Sequence, residues 1–270
     1  MPEFFPRRGD GLAVFLNAGD PPLDVLPELV TMLDESGVDC LELAVPFPDS
    51  VTDGPVVRRS ADRALAAGVG LEETLAAVAA VRPGLARLRI ALLADWSHSI
   101  RDTGLAPVTR RIAASGADGL LVHGLPPRLR PAYYEAAAEA GLPIVTTCYH
   151  GVSSPEVLAE AAAHATAYVY LVAAYGRSGT GPRTGYAGLA PTVAALRQAT
   201  SAPVAVGFGV RTREDVSAVH ACGADAAIVG SAVVSRVESA LAGGQDVVAA
   251  VAGLISSLNP SEAVTRRRQK

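Results

Sequence analysis

Eight short runs rich in β-branched residues alternate along this chain with Ala/Leu-rich stretches of helical period, and that alternation leaves few folds open. The runs are Leu12–Asn17, Cys40–Val45, Leu88–Ala94, Gly119–His123, Ile144–Tyr149, Ala167–Ala173, Val204–Phe208 and Ala226–Val229. Between them lie helical segments such as Leu23–Ser36, Glu72–Val81, Pro107–Ser115, Pro131–Ala140, Pro155–His164, Leu189–Thr200, Thr212–Cys222 and Ser231–Ala242. Several end in a glycine immediately before the next run, at Gly37, Gly116, Gly141 and Gly223, where a left-handed cap terminates a helix. Strands joined through helices run parallel. Eight such units in one uninterrupted series predict an α/β chain folded as a single (β/α)8 TIM barrel. An open six-stranded sheet would leave two units unexplained.

Composition agrees with one large core. The 270 residues are 50% hydrophobic and 19% charged, with a net charge of −4, which excludes a predominantly disordered chain. No composition shift or linker divides residues 1–270, so one domain is expected, with Val264–Lys270 as a frayed tail. No apolar run reaches the roughly 18 residues that a membrane span needs. The segment Met1–Gly11 is polar and interrupted by Pro and Arg, so neither a membrane role nor a signal peptide is expected, and a cytoplasmic location follows. A pI near 5.7 argues against a nucleic-acid surface. Cys40, Cys148 and Cys222 lack metal-type spacing and read as reduced thiols. The only lysine is Lys270, the last residue. Schiff-base chemistry and a PLP site are thereby excluded, and no cofactor is expected. A bound phosphate would be held by backbone N–H groups or arginine.

In this barrel the chemistry lies at the C-terminal ends of the strands. Glu42 sits inside the second apolar run, between Leu41 and Leu43, and alternation places it on one side with Ala44. A carboxylate in a barrel interior is costly unless used, and burial would raise its pKa toward neutrality, as a general acid/base requires. The Pro-rich stretch that follows carries Asp49 and Asp53. After the seventh run comes Gly207-Phe208-Gly209, and after the eighth Gly230-Ser231 opens a helix. Glycines at those two ends let backbone N–H groups and a helix N-terminus approach an anion. The Gly-rich loop Ala174–Gly185 has the make-up of a lid over the mouth.

These segments together resemble the alpha subunit of tryptophan synthase, the indole-3-glycerol-phosphate lyase family. The resemblance runs from Phe15 to about Val234. Its carrying pieces are Ala18-Gly19-Asp20-Pro21, Leu41-Glu42-Leu43 through Pro46-Phe47, Asp53-Gly54-Pro55, Arg63-Ala64-Leu65, Gly207-Phe208-Gly209 and Val229-Gly230-Ser231-Ala232. It implies a carbon–carbon lyase without cofactor or metal that cleaves indole-3-glycerol phosphate to indole and glyceraldehyde 3-phosphate. By similarity Glu42 is the acid/base and Asp53 takes the indole N–H. Phe15, Tyr168 and Phe208 match pocket-lining positions, and Thr180 matches the lid threonine that orients Asp53. Gly181, Gly207, Gly209, Gly230 and Ser231 match the phosphate cradle.

The chain also departs from the family pattern. The second strand continues as Ala44-Val45-Pro46-Phe47-Pro48-Asp49-Ser50, where the family usually reads Gly-Ile/Val-Pro-Phe-Ser-Asp-Pro. The third strand ends Ala94-Asp95-Trp96-Ser97-His98, without the usual tyrosine and asparagine, and Gly124 stands where aspartate is usual. The lid is about two residues longer, and the helix that normally precedes the first strand is shortened or missing. Several of these places face the beta-type tryptophan synthase subunit in the two-chain enzyme. A stand-alone or specialised lyase is therefore an open reading beside a partnered one, as is a weakly active chain that mainly activates a partner. A third alternative is a metal-dependent sugar-phosphate aldolase or epimerase. His98, His123 and His150 all fall just beyond strand ends, where ligands for zinc could converge.

Overall fold

The computed structural model describes residues 3–5, 9–174, 176, 179 and 185–258. Eight parallel strands form one sheet: β1 Gly11–Asn17, β2 Cys40–Ala44, β3 Arg89–Asp95, β4 Gly119–His123, β5 Val145–Tyr149, β6 Tyr168–Val172, β7 Val204–Gly207 and β8 Ala226–Val229. Their order is β4-β3-β2-β1-β8-β7-β6-β5. A single bridge, Leu120 to Ile144, joins β4 to β5 and brings the two edges together. The expected barrel is therefore present, with one seam far looser than the rest.

Helices alternate with the strands around the outside. They are α1 Leu26–Glu35, α2 Pro55–Ala66, α3 Leu71–Val81, α4 Leu105–Ala114, α5 Arg130–Ala140, α6 Pro155–His164, α7 Ala190–Ala199, α8 Arg213–Ala221, α9 Ser231–Ala242 and α10 Val247–Leu258. Residues one turn apart, such as Leu29 and Leu33 or Val108 and Ile112, are buried against the strands. Each such side chain stabilises the fold by about 1.5–3 kcal/mol. Gly37, Gly116, Gly141 and Gly223 all adopt the left-handed conformation read from sequence, with φ from 64° to 92°. Two helices went unnamed by periodicity, α2 and α10. The first starts with Pro55 in its opening turn behind Gly54, a favourable helix entry, so the Pro-rich stretch passes into a helix just after Asp53.

The barrel interior is layered. At the floor, Ala13, Cys40, Ala91, Ala205 and Ala226 are small, which leaves room for three rings. Phe4 and Phe5 pack on Tyr168 at centroid distances of 5.4 and 5.3 Å. A Cβ on Gly119 would lie 2.9 Å from the Phe4 ring. Among the described residues no helix precedes β1.

Two sequence pieces serve the scaffold. Arg63 on α2 donates to both carboxylate oxygens of buried Asp20, at 2.9 and 2.8 Å, and to Glu238 on α9 at 2.8 Å. This fork ties α2 to the end of β1 and to α9. Among the described residues no single helix is long and apolar enough to cross a membrane.

Candidate active site

A cavity of about 130 Å³ opens at the C-terminal mouth of the barrel, and both candidate carboxylates line it. Glu42 reaches it from β2. Leu41 and Leu43 pack outward into the helix-facing core, while Glu42 and Ala44 both face the cavity, as alternation predicts. Glu42 is 1% exposed. The Tyr168 hydroxyl donates to its Oε1 at 2.6 Å, and its Oε2 is a buried oxygen without a hydrogen-bond partner among the described groups. Burial pushes the Glu42 carboxyl from its ordinary 4.5 to about 7, against the opposing pull of the Tyr168 hydrogen bond. The Tyr168 phenol, held well above its ordinary value by the same burial, stays a donor.

Asp53 comes from the loop between β2 and α2. Its carbonyl accepts from Arg58 Nε at 3.0 Å, and Pro55 begins α2 two residues on, so its backbone is held from the C-terminal side. Tyr170 lines the same cavity as the two acids. Burial first, and then the charges of Glu42 and Asp53, push its phenol well above the ordinary value.

Asp95, His123, Thr147 and Tyr149 add wall from β3, β4 and β5, and β1, β7, β8 and the helix after β8 supply the rest. Phe15, Phe208, Gly209, Gly230 and Ser231 all line the cavity. Phe208 holds a φ of 79°, a strained conformation for an aromatic residue. Its carbonyl accepts from the Tyr186 hydroxyl at 3.1 Å, which helps fix it. Gly230 caps α9 and Ser231 opens it, so the positive end of the helix dipole points at the mouth. Gly179, which Arg211 holds by donating to its carbonyl, comes close to Ser231; a Cβ on Gly179 would meet Ser231 Oγ at 3.3 Å.

Two sequence assignments need correction. Tyr168 does not line the cavity. It is fully buried in the floor layer and supports Glu42 from below, while Tyr170, two residues on and on the same face, occupies the wall. Gly207 does not line the cavity either. It ends β7, its carbonyl accepts from Ala173 at 3.0 Å, and a Cβ there would stand 2.4 Å from the Tyr170 ring. Glycine at 207 makes room for Tyr170 rather than for an anion. Thr180, Gly181 and the extra lid length lie outside the described residues.

The three histidines do not converge as metal ligands. His150 Nδ1 pairs with Thr192 Oγ1 at 3.0 Å, whereas His98 and His123 both turn Nδ1 to the Asp95 carboxylate, at 2.7 and 3.1 Å. Among the described residues no group of three or more His, Cys, Asp or Glu side chains is arranged to hold a metal ion. The metal-dependent alternative loses its only support. The cluster around Asp95 itself escaped the sequence reading, because the contact between β3 and β4 residues is a product of strand register, Asp95 opposite His123.

Comparison with known proteins bears on the same site. The family model for the tryptophan synthase alpha chain matches residues 6–262. The tryptophan synthase alpha chain of Gloeobacter violaceus is 40% identical over 236 residues, covering 87% of this chain and 83% of that protein. That of Synechocystis is 38% identical over 231 residues, covering 85% and 86%. Among solved structures, tryptophan synthase subunit alpha from Legionella pneumophila superposes with a TM-score of 0.82 at 27% identity, covering 93% of this chain and 91% of that one. Tryptophan synthase from Mycobacterium tuberculosis gives 0.79 at 29% identity, covering 94% and 91%. The match spans the whole barrel, including every strand end that lines the cavity. This chain belongs to the tryptophan synthase alpha chain family.

Proposed function

We propose that the chain is a carbon–carbon lyase that cleaves indole-3-glycerol phosphate to indole and glyceraldehyde 3-phosphate, with Glu42 as acid/base and Asp53 as the partner of the indole N–H. The observation that carries this reading is a buried Glu42 with one oxygen tied down and the other unpartnered in a cavity it shares with Asp53. The Tyr168 hydroxyl donates to Oε1, so the mobile proton belongs to Oε2.

Expelling indole as a C3 carbanion is prohibitive, so C3 must gain a proton before the bond breaks. Neutral Glu42, populated near pH 7 because burial raises its carboxyl to about 7, supplies it. The ring nitrogen then gains positive character, which the Asp53 carboxylate offsets through the N–H. Glu42, now ionised, accepts the proton of the glycerol hydroxyl on the adjoining carbon. The bond from that carbon to C3 breaks, its electron pair returns to the ring, and the hydroxyl carbon becomes the aldehyde. Protons balance, and Glu42 ends as it began. Phe15, Tyr170 and Phe208 supply aromatic surface for the indole, and the backbone at Gly209 and Gly230 with the N-terminus of α9 receives the phosphate. By similarity Thr180 orients Asp53 and Gly181 belongs to the phosphate cradle. The product indole leaves free or passes to a beta-type subunit.

Glu42→Gln keeps the shape and removes the titratable proton; Asp53→Asn keeps the shape and removes the charge. Cleavage should vanish in the first and fall severely in the second, with inorganic phosphate still bound by both. Near-normal turnover in either would reject that residue's role.

A further inference from the structure

We propose that Asp95, His98 and His123 form a positioning clamp that fastens the β2–α2 loop and so places Asp53; this rests on the role given to Asp53 above. The clamp starts from the ends of two adjacent strands. Asp95 closes β3 and caps the helical turn Trp96–Ile100, its Oδ1 accepting from the Ser97 and His98 backbone N–H at 2.9 and 3.0 Å. The same carboxylate accepts both Nδ1–H groups. Burial pulls its pKa upward, but the hydrogen bonds from His98 and His123 outweigh it and leave the carboxyl below its ordinary value. An ionised carboxylate only accepts, so both imidazoles carry the proton on Nδ1. That leaves His123 Nε2 turned toward the loop.

The loop fastens to these two rings at two points. Phe47 stacks over both, with centroids 5.4 Å from His98 and 5.8 Å from His123 and interplanar angles of 25° and 28°. The Thr52 hydroxyl pairs with His123 Nε2 at 3.3 Å, and Ser50 Oγ lies 3.4 Å from the Thr52 hydroxyl, further back along the loop. Between the two points the chain passes Asp49 at a φ of 58°, a conformation costly for a non-glycine residue and kept only where its surroundings hold it. Thr52 directly precedes Asp53, and on the far side Arg58 holds the Asp53 carbonyl. Asp53 is thus gripped from both flanks before any substrate arrives. Such pre-ordering raises the fraction of molecules with the carboxylate in reach of the ring nitrogen, and it acts on the rate more than on binding.

The experiment is hydrogen–deuterium exchange of the full chain without substrate, comparing the wild type with His123→Ala and Thr52→Val, paired with kinetics on indole-3-glycerol phosphate. Thr52→Val removes only the hydroxyl and keeps the side-chain shape. Amides 47 and 49–54 should exchange about tenfold faster in His123→Ala, which loses a hydrogen bond and a stacked ring, and about threefold faster in Thr52→Val. Strand amides of β2 and β3 should stay protected. In both variants kcat should fall by similar factors while KM and inorganic phosphate binding hold. Unchanged exchange at amides 47 and 49–54 in both variants overturns the clamp whatever the activity. Loosened exchange with wild-type kcat overturns its positioning role. A wild-type chain that protects the loop yet fails to cleave would refute the proposed activity and leave the attachment standing.

Discussion

Replacing Glu42 with glutamine should make the protein more stable as well as inactive, and by an amount that depends on pH. The folded-state carboxyl titrates at about 7, against 4.5 in the unfolded chain. Below 4.5 both states hold the proton, and Glu42 resembles a neutral amide. Between 4.5 and 7 the unfolded chain releases the proton while the buried group keeps it, so wild-type stability falls as pH rises. At about 1.4 kcal/mol per unit, the total loss above pH 7 is about 3 kcal/mol. The glutamine of the variant does not titrate and escapes this loss. Urea unfolding of both proteins at half-unit steps from about pH 3.5 to 8 measures it. The variant's advantage should be flat at the acid end, grow through the interval and level off above 7. A gap that is constant with pH would mean that Glu42 titrates alike folded and unfolded, and the burial argument for its chemistry would fall with it.

Tyr168→Phe removes the hydrogen bond that favours the ionised form of Glu42, so the Glu42 bend in the kcat/KM pH profile should move upward by about one unit from 7; a bend that stays put would deny the contact. Gly207→Ala puts a methyl group where the Tyr170 ring stands 2.4 Å away and should cost about 1–3 kcal/mol in thermal or urea unfolding; no loss would mean that Tyr170 sits elsewhere. At Gly230 the nearest atom to an added Cβ is 3.6 Å away, on Phe15. Alanine should therefore be tolerated there, while leucine should raise KM for the phosphorylated substrate more than it lowers the melting temperature. The reverse order would remove Gly230 from the anion site.

The alternation of apolar runs and helical stretches was enough to specify the barrel, because local periodicity and the handed, parallel connection rule act on consecutive residues. Glu42 was legible for the same reason, since its side of β2 follows from parity. Parity does not report depth. Tyr168 and Tyr170 share a face, yet one lies in the floor and the other in the wall, and only packing on Phe4 and Phe5 separates them. Gly207 misled for a related reason. Glycine after a strand reads as room for an anion, but here the space is taken by Tyr170 on the adjacent strand β6, a neighbour that no local pattern announces. The Asp95 cluster needed β3 and β4 in register and the loop folded back over both. Asp95 and His98 stood among the departures from the family pattern, and His98 and His123 among the candidate zinc ligands, but neither signal paired them through Asp95.

The central claim is that this single chain holds both acids and the anion site of a working lyase. Incubating the isolated protein with indole-3-glycerol phosphate, and quantifying indole and glyceraldehyde 3-phosphate together, tests it most directly. The two products should appear in equal amounts from the wild type and be missing with Glu42→Gln. Substrate left intact by the wild type, with or without a beta-type subunit added, would contradict it.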